Sequence, residues 1–115
     1  MPTYEEVCRF LSRFFPKMDI WGILFIDRDK NQKALSELSI TADIRLQIIR
    51  SLQADDFVET IPSLFAGIGD MWVFGKDYDG NTLYIKIAMG QPNDKTICIS
   101  FHKAEKPIQY KYKYK

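Results

Sequence analysis

The chain has 115 residues, 46% of them hydrophobic and 14% aromatic, with 16 basic and 15 acidic side chains and a formal net charge of +1. That length suits a single domain spanning residues 1–115 with a core of its own, and the apolar content excludes a disordered chain. The longest apolar run, Ile20 to Ile26, is far short of the ~18 residues of a membrane span, and Glu5 and Glu6 stand where a signal peptide would carry basic charge, so a cytoplasmic protein with no membrane attachment is expected.

In chain order, Tyr4, Val7, Cys8, Leu11, Phe14 and Phe15 recur at helical steps, which predicts an amphipathic helix over residues 3 to 15, stopped by Pro16. Ile20 to Ile26 is short, β-branched and aromatic, and reads as a buried strand. Asp29 can cap a short helix through Leu38. Thr41 can cap the next, with Asp43 in its first turn and Ile44, Ile48, Ile49 and Leu52 as its apolar stripe. Ile61-Pro62 to Gly69-Asp70 reads as a loop; its Gly67-Ile68-Gly69 follows no strand and opens no helix, which excludes a dinucleotide site. Cys8 and Cys98 have neither the number nor the spacing for a disulfide framework or a thiolate zinc site. No metal and no cofactor are expected.

From Met71 the pattern changes to period two. Met71–Lys76 and Thr82–Met89 flank Asp77-Tyr78-Asp79-Gly80, a hairpin signal rather than a calcium loop, since the further ligands of such a loop are missing. Thr96–His102 follows after a second turn, so the three strands form an antiparallel meander. The fold class is therefore α+β, with N-terminal helices on one face of a small antiparallel sheet.

Alternation along these strands sorts the side chains. Leu83, Ile85, Ile87 and Met89 share one face; Tyr84, Lys86 and Ala88 share the other. In the third strand Ile97, Ile99 and Phe101 form one set and Cys98, Ser100 and His102 the second. A turn centred near Asn93 sets Tyr84 opposite His102 and Lys86 opposite Ser100, gathering four polar groups into one cluster. Trp72 and Lys76 are in phase with each other, but a one-residue slip inverts their face, which stays open. An imidazole, a phenol and ammonium groups on an open sheet suit phosphodiester chemistry. His102 and Tyr84 can exchange protons, Lys86 and Lys76 can offset charge on phosphate oxygens, and RNA brings its own 2′-hydroxyl as nucleophile.

Arg28 and Lys30, at a charged helix start, extend such a path for RNA, as do Trp72, Ser100 and Lys103. Residues 1 to 62 hold eight basic against ten acidic side chains and residues 63 to 115 hold eight against five, so the basic surplus is C-terminal. Much of it is the tail 103–115, whose alternating tyrosines and lysines suit a polyanion with stackable bases; a solvated end, or an edge strand blunted by lysines, is the plainer reading.

Trp72-Val73-Phe74-Gly75-Lys76, Asp79-Gly80, Tyr84-Ile85-Lys86-Ile87 and Ile97-Cys98-Ile99-Ser100-Phe101-His102, followed by Pro107 and Tyr110, resemble the C-terminal half of toxins of the motility quorum-sensing regulator (MqsR) family. Arg28-Asp29-Lys30-Asn31, the Arg45–Leu52 helix and Asp55-Asp56-Phe57 are similar to its upstream elements. The resemblance implies a RelE-like fold, a metal-independent messenger-RNA endoribonuclease of a type II toxin–antitoxin system, and a cognate antitoxin as protein partner. It places Tyr84 at the family's active-site tyrosine and His102 at its last-strand lysine. Val58 and Glu59 stand where a lysine is expected, and Val73 where a glutamine is. The alternative is a non-catalytic module that holds single-stranded RNA, or a partner protein that can add a segment to a free sheet edge.

Overall fold

The computed structural model describes residues 1–26, 28–63 and 67–113. Part of the loop expected between Ile61 and Asp70, and the last two tail residues, lie outside them. Helix α1 (Tyr4–Trp21) opens on a capping box, in which the Thr3 hydroxyl accepts from the Glu6 amide at 3.1 Å and the Glu6 carboxylate accepts from the Thr3 amide at 3.0 Å. It runs through Pro16 instead of stopping there. The buried stripe continues past the proline to Met18, 4% exposed, so packing on the sheet offsets the hydrogen bond the proline removes. The helix ends at Gly22, whose φ of 90° carries its amide back to the Met18 carbonyl. Ile20 and Trp21 are therefore helical, and the strand expected over residues 20–26 shrinks to β1 (Ile23–Phe25).

Helices α2 (Asp29–Glu37) and α3 (Ala42–Arg50) follow, the second capped by the Thr41 hydroxyl as expected. Asp29 is the first helical residue of α2 rather than its cap, which is Arg28. A short 3-10 turn, Ala54–Asp56, leads into β2 (Phe57–Ile61), a strand missing from the sequence-based expectation although Phe57-Val58-Glu59-Thr60-Ile61 is rich in β-branched residues. Strands β3 (Met71–Tyr78), β4 (Asn81–Ala88) and β5 (Thr96–Lys103) form the expected meander. Asp79 and Gly80, both at positive φ, make its two-residue turn.

The sheet order is β1-β5-β4-β3-β2, and β1 lies parallel to β5, so the sheet is mixed and not purely antiparallel. The two-residue turn pairs Trp72 with Ile87, Phe74 with Ile85 and Lys76 with Leu83, which puts all three β3 residues on the aliphatic face. There α1 and α3 bury them: Trp72 stacks on Phe10 at 4.1 Å between ring centres, and Phe57, Phe74, Ile85 and Phe101 are fully enclosed. A bulge in β5 follows the Lys86–Ser100 pair, since the next pair is Ile87–Cys98. Beyond it the alternation inverts, so Cys98 enters the core instead of standing with Ser100 and His102. None of the described helices is long and apolar enough to cross a membrane.

Residues 104–113 turn back as a strap over the second face of the sheet. The Lys111 amide bonds the Phe57 carbonyl at 3.0 Å, and the Tyr112 hydroxyl bonds the Pro2 carbonyl while its ring packs on Phe57 and Tyr4. The Tyr-Lys alternation through residue 113 is thus a packing pattern, and neither a frayed end nor an edge strand. Gly75 admits it: a Cβ there would lie 2.7 Å from Tyr110 Oη and 3.0 Å from Ile108 Cγ2. Gly75→Ala is expected to lower stability by about 1 kcal/mol, overpacking outweighing the gain in strand propensity. Thermal melting and faster amide exchange at Lys111 check this.

Candidate nucleic-acid cleft

On the face turned away from α1, the meander brings together the side chains that alternation predicts. Tyr84 pairs with His102 and Lys86 with Ser100, and the Tyr84 and His102 rings stack at 5.2 Å and 14°. They form the floor of an open cleft of about 500 Å³. Arg28 and Lys30 at the start of α2 make one wall, the strap makes another, and Val58 and Glu59 of β2 close the far end.

A buried amide sets this geometry. β1 ends at Phe25, so β5 has an unpaired edge beyond Cys98. Asn31, 2% exposed, fills the gap: its Nδ2 donates to the carbonyls of Ile26 at 2.7 Å and Ile99 at 3.3 Å, and its Oδ1 accepts from the Phe101 amide at 2.9 Å. The side chain serves as an extra rung on the sheet. It also fixes the start of α2 beside Ser100, where Arg28 Nη2 donates to Ser100 Oγ at 2.6 Å.

The electrostatics of the cleft are unbalanced. Among the described residues neither Arg28 nor Lys86 has a carboxylate in ion-pair contact. Burial, then the Arg28 charge, pushes the Lys86 ammonium below the ordinary lysine range, with Glu59 opposing. Burial, then Glu59, raises the Tyr84 phenol, so it stays protonated and able to donate. His102, 9% exposed, sets Nδ1 at 2.8 Å from the Lys103 carbonyl. A carbonyl only accepts, so Nδ1 carries a proton, and in the neutral form of the ring the lone pair is on Nε2.

The remaining sequence candidates are placed elsewhere. Lys76 lies on the opposite face, where Nζ bonds Asp56 Oδ2 and the Ser51 carbonyl, each at 3.2 Å, so it is a structural ion pair and not part of the cleft. Trp72 stacks on Phe10 on the helix-covered face, away from the cleft. Lys103 pairs with Glu37 at 2.8 Å, and Lys30, on the rim, pairs with Glu105. Sequence reasoning missed the parts played by Asn31, Glu105 and the strap, and met Glu59 only where the resemblance expects a lysine. Only Gly75, a glycine inside a strand pattern, signalled a close approach. Among the described residues no three His, Cys, Asp or Glu side chains converge in a metal-binding group. Comparison with protein-family models, curated proteins and solved structures gives no match to this chain.

Two substitutions test the site as built. Asn31→Ala removes the side-chain partner of the Phe101 amide and the Ile99 carbonyl, the Ile26 carbonyl keeping the Arg28 amide, and is expected to cost about 2–4 kcal/mol in urea unfolding. Lys86→Met is expected to raise the melting temperature at pH 7. Its charged form is disfavoured in the folded state, a penalty present wherever the ammonium is charged in both states. The penalty fades as pH rises through the lowered folded value toward the ordinary one, so the advantage of the variant should shrink near pH ~10.

Proposed function

We propose that the cleft binds a single RNA strand and cleaves it, with the substrate's 2′-hydroxyl as nucleophile. What carries the reading is one juxtaposition: Arg28, Tyr84, Lys86 and His102 line a single open cleft, in which Arg28 and Lys86 have no carboxylate in ion-pair contact among the described residues. His102 Nε2 takes the proton from the 2′-hydroxyl as its oxygen attacks phosphorus. The Tyr84 hydroxyl gives a proton to the departing 5′-oxygen, and Arg28 and Lys86 offset the negative charge that grows on the non-bridging oxygens. The products are a 2′,3′-cyclic phosphate and a 5′-hydroxyl.

Arg28 takes the part first given to Lys76. The MqsR-family resemblance extends this reading to a RelE-like toxin of a type II toxin–antitoxin pair, acting on messenger RNA without a metal and held silent by an antitoxin. The departures at Val58, Glu59 and Val73 make Arg28 and Lys86 the polar groups that stand in for the expected lysine and glutamine.

A second reading, a non-catalytic module for single-stranded RNA or a partner protein, draws on the 9% exposure of His102. Purified protein incubated with RNA in EDTA separates the two. Cleavage is expected at sites that a 2′-deoxy substitution blocks, with Tyr84→Phe and His102→Ala each slowing it at least ~100-fold. Intact RNA, or cleavage that survives the double replacement, overturns the catalytic reading.

A further inference from the structure

A second cavity of about 390 Å³ adjoins the cleft on the α2 side. Lys30, His102 and Glu105 line both, so the Lys30–Glu105 ion pair stands on the boundary, with the imidazole beside it. The Glu105 carboxyl is held below its ordinary range by the hydrogen bond from Lys30 first and then by the Lys30 charge. On the far side of the second cavity Lys33 and Lys103 both pair with Glu37.

The bridge is not needed to hold α2, which Asn31 already ties to β5 through two bonds on a buried amide and to the Ile26 carbonyl through a third. Both partners are well exposed, at 62% and 59% of their side-chain surface, and pairs of that kind are weak and screened by salt. A phosphodiester oxygen offers a lysine the same charge-assisted contact that a carboxylate does. Glu105 therefore occupies on Lys30 the place that a phosphate would take.

We propose that the two cavities are one groove interrupted by the Lys30–Glu105 pair, and that the second cavity receives the next phosphate of a bound RNA strand. That phosphate takes Lys30 from Glu105 and uncovers His102. The identity of the strand rests on the RNA reading above; the gating does not require cleavage.

Two measurements that involve no cleavage test it. The first is the rate at which diethyl pyrocarbonate modifies His102, the one histidine of the chain. Glu105→Gln is expected to raise that rate at least about threefold at low salt, as 0.5 M NaCl should in the parent protein, whereas Glu37→Gln should leave it unchanged. The second is the affinity for uncleavable 2′-O-methyl RNA. Glu105→Gln should tighten a tetranucleotide by about three- to tenfold and a dinucleotide by less than about twofold, and Lys30→Ala should abolish the difference. Equal gains for both lengths, no gain, or equal histidine rates in the Glu105 and Glu37 variants overturn the proposal. If natural RNA stays intact while the tetranucleotide still tightens, the groove stands and the ribonuclease reading falls.

Discussion

Three hydrogen bonds from the buried Asn31 amide decide how this domain is arranged around its cleft. A sheet whose edge strand outruns its neighbour leaves amides and carbonyls facing an apolar surround, and each unmet group costs about 1–3 kcal/mol. Asn31 meets one amide and one carbonyl of β5, and the Ile26 carbonyl at the end of β1. Because it sits in the first turn of α2, the same bonds orient that helix start toward Ser100 and place Arg28 over the sheet. Without this clamp the two polar strands would remain a surface patch with no wall on the β5 side.

The cations of the chain differ in what they meet. Lys76, Arg50, Lys103, Lys33 and Lys30 each pair with a carboxylate, while Arg28 leans on a neutral hydroxyl and Lys86 has no such partner among the described residues. Lys86, partly buried and beside the Arg28 charge, is disfavoured in its charged form, and Glu59 offsets only part of that cost. Proteins keep such arrangements where a ligand supplies the missing charge. Lys76 shows the contrast: it is also partly buried, yet Asp56 and a carbonyl satisfy it, and it serves packing instead.

Local patterns carried the meander, its Asp-Gly turn, the Thr41 cap, and the Tyr84–His102 and Lys86–Ser100 pairs, because period-two alternation and turn chemistry act within a few residues. The errors arise where a distant contact overrode a local preference. Pro16 is a helix breaker, but Met18 beyond it packs in the core, so the helix continues and Gly22 ends it. One extra residue in β5 moved Cys98 into the core, and a bulge leaves no mark in alternation. Trp72 and Lys76 fell on the helix-covered face because the tight turn fixed a register that the sequence left open. Asn31 in a polar first turn looks like any solvated residue until the strand edge it meets is known.

The near-zero net charge says little about a polyanion, because it sums over the whole chain and not over the cleft. The field that matters is local: a floor of phenol, imidazole and ammonium, with a guanidinium and the walls of the cleft around it. The strap supplies one of those walls, and its seat on Gly75 limits the width of the cleft from the β3 side. On the reading proposed above, an extended strand running between the Glu59 end and the Lys30 wall meets Tyr84, Lys86 and His102 on the floor, with Arg28 beside them.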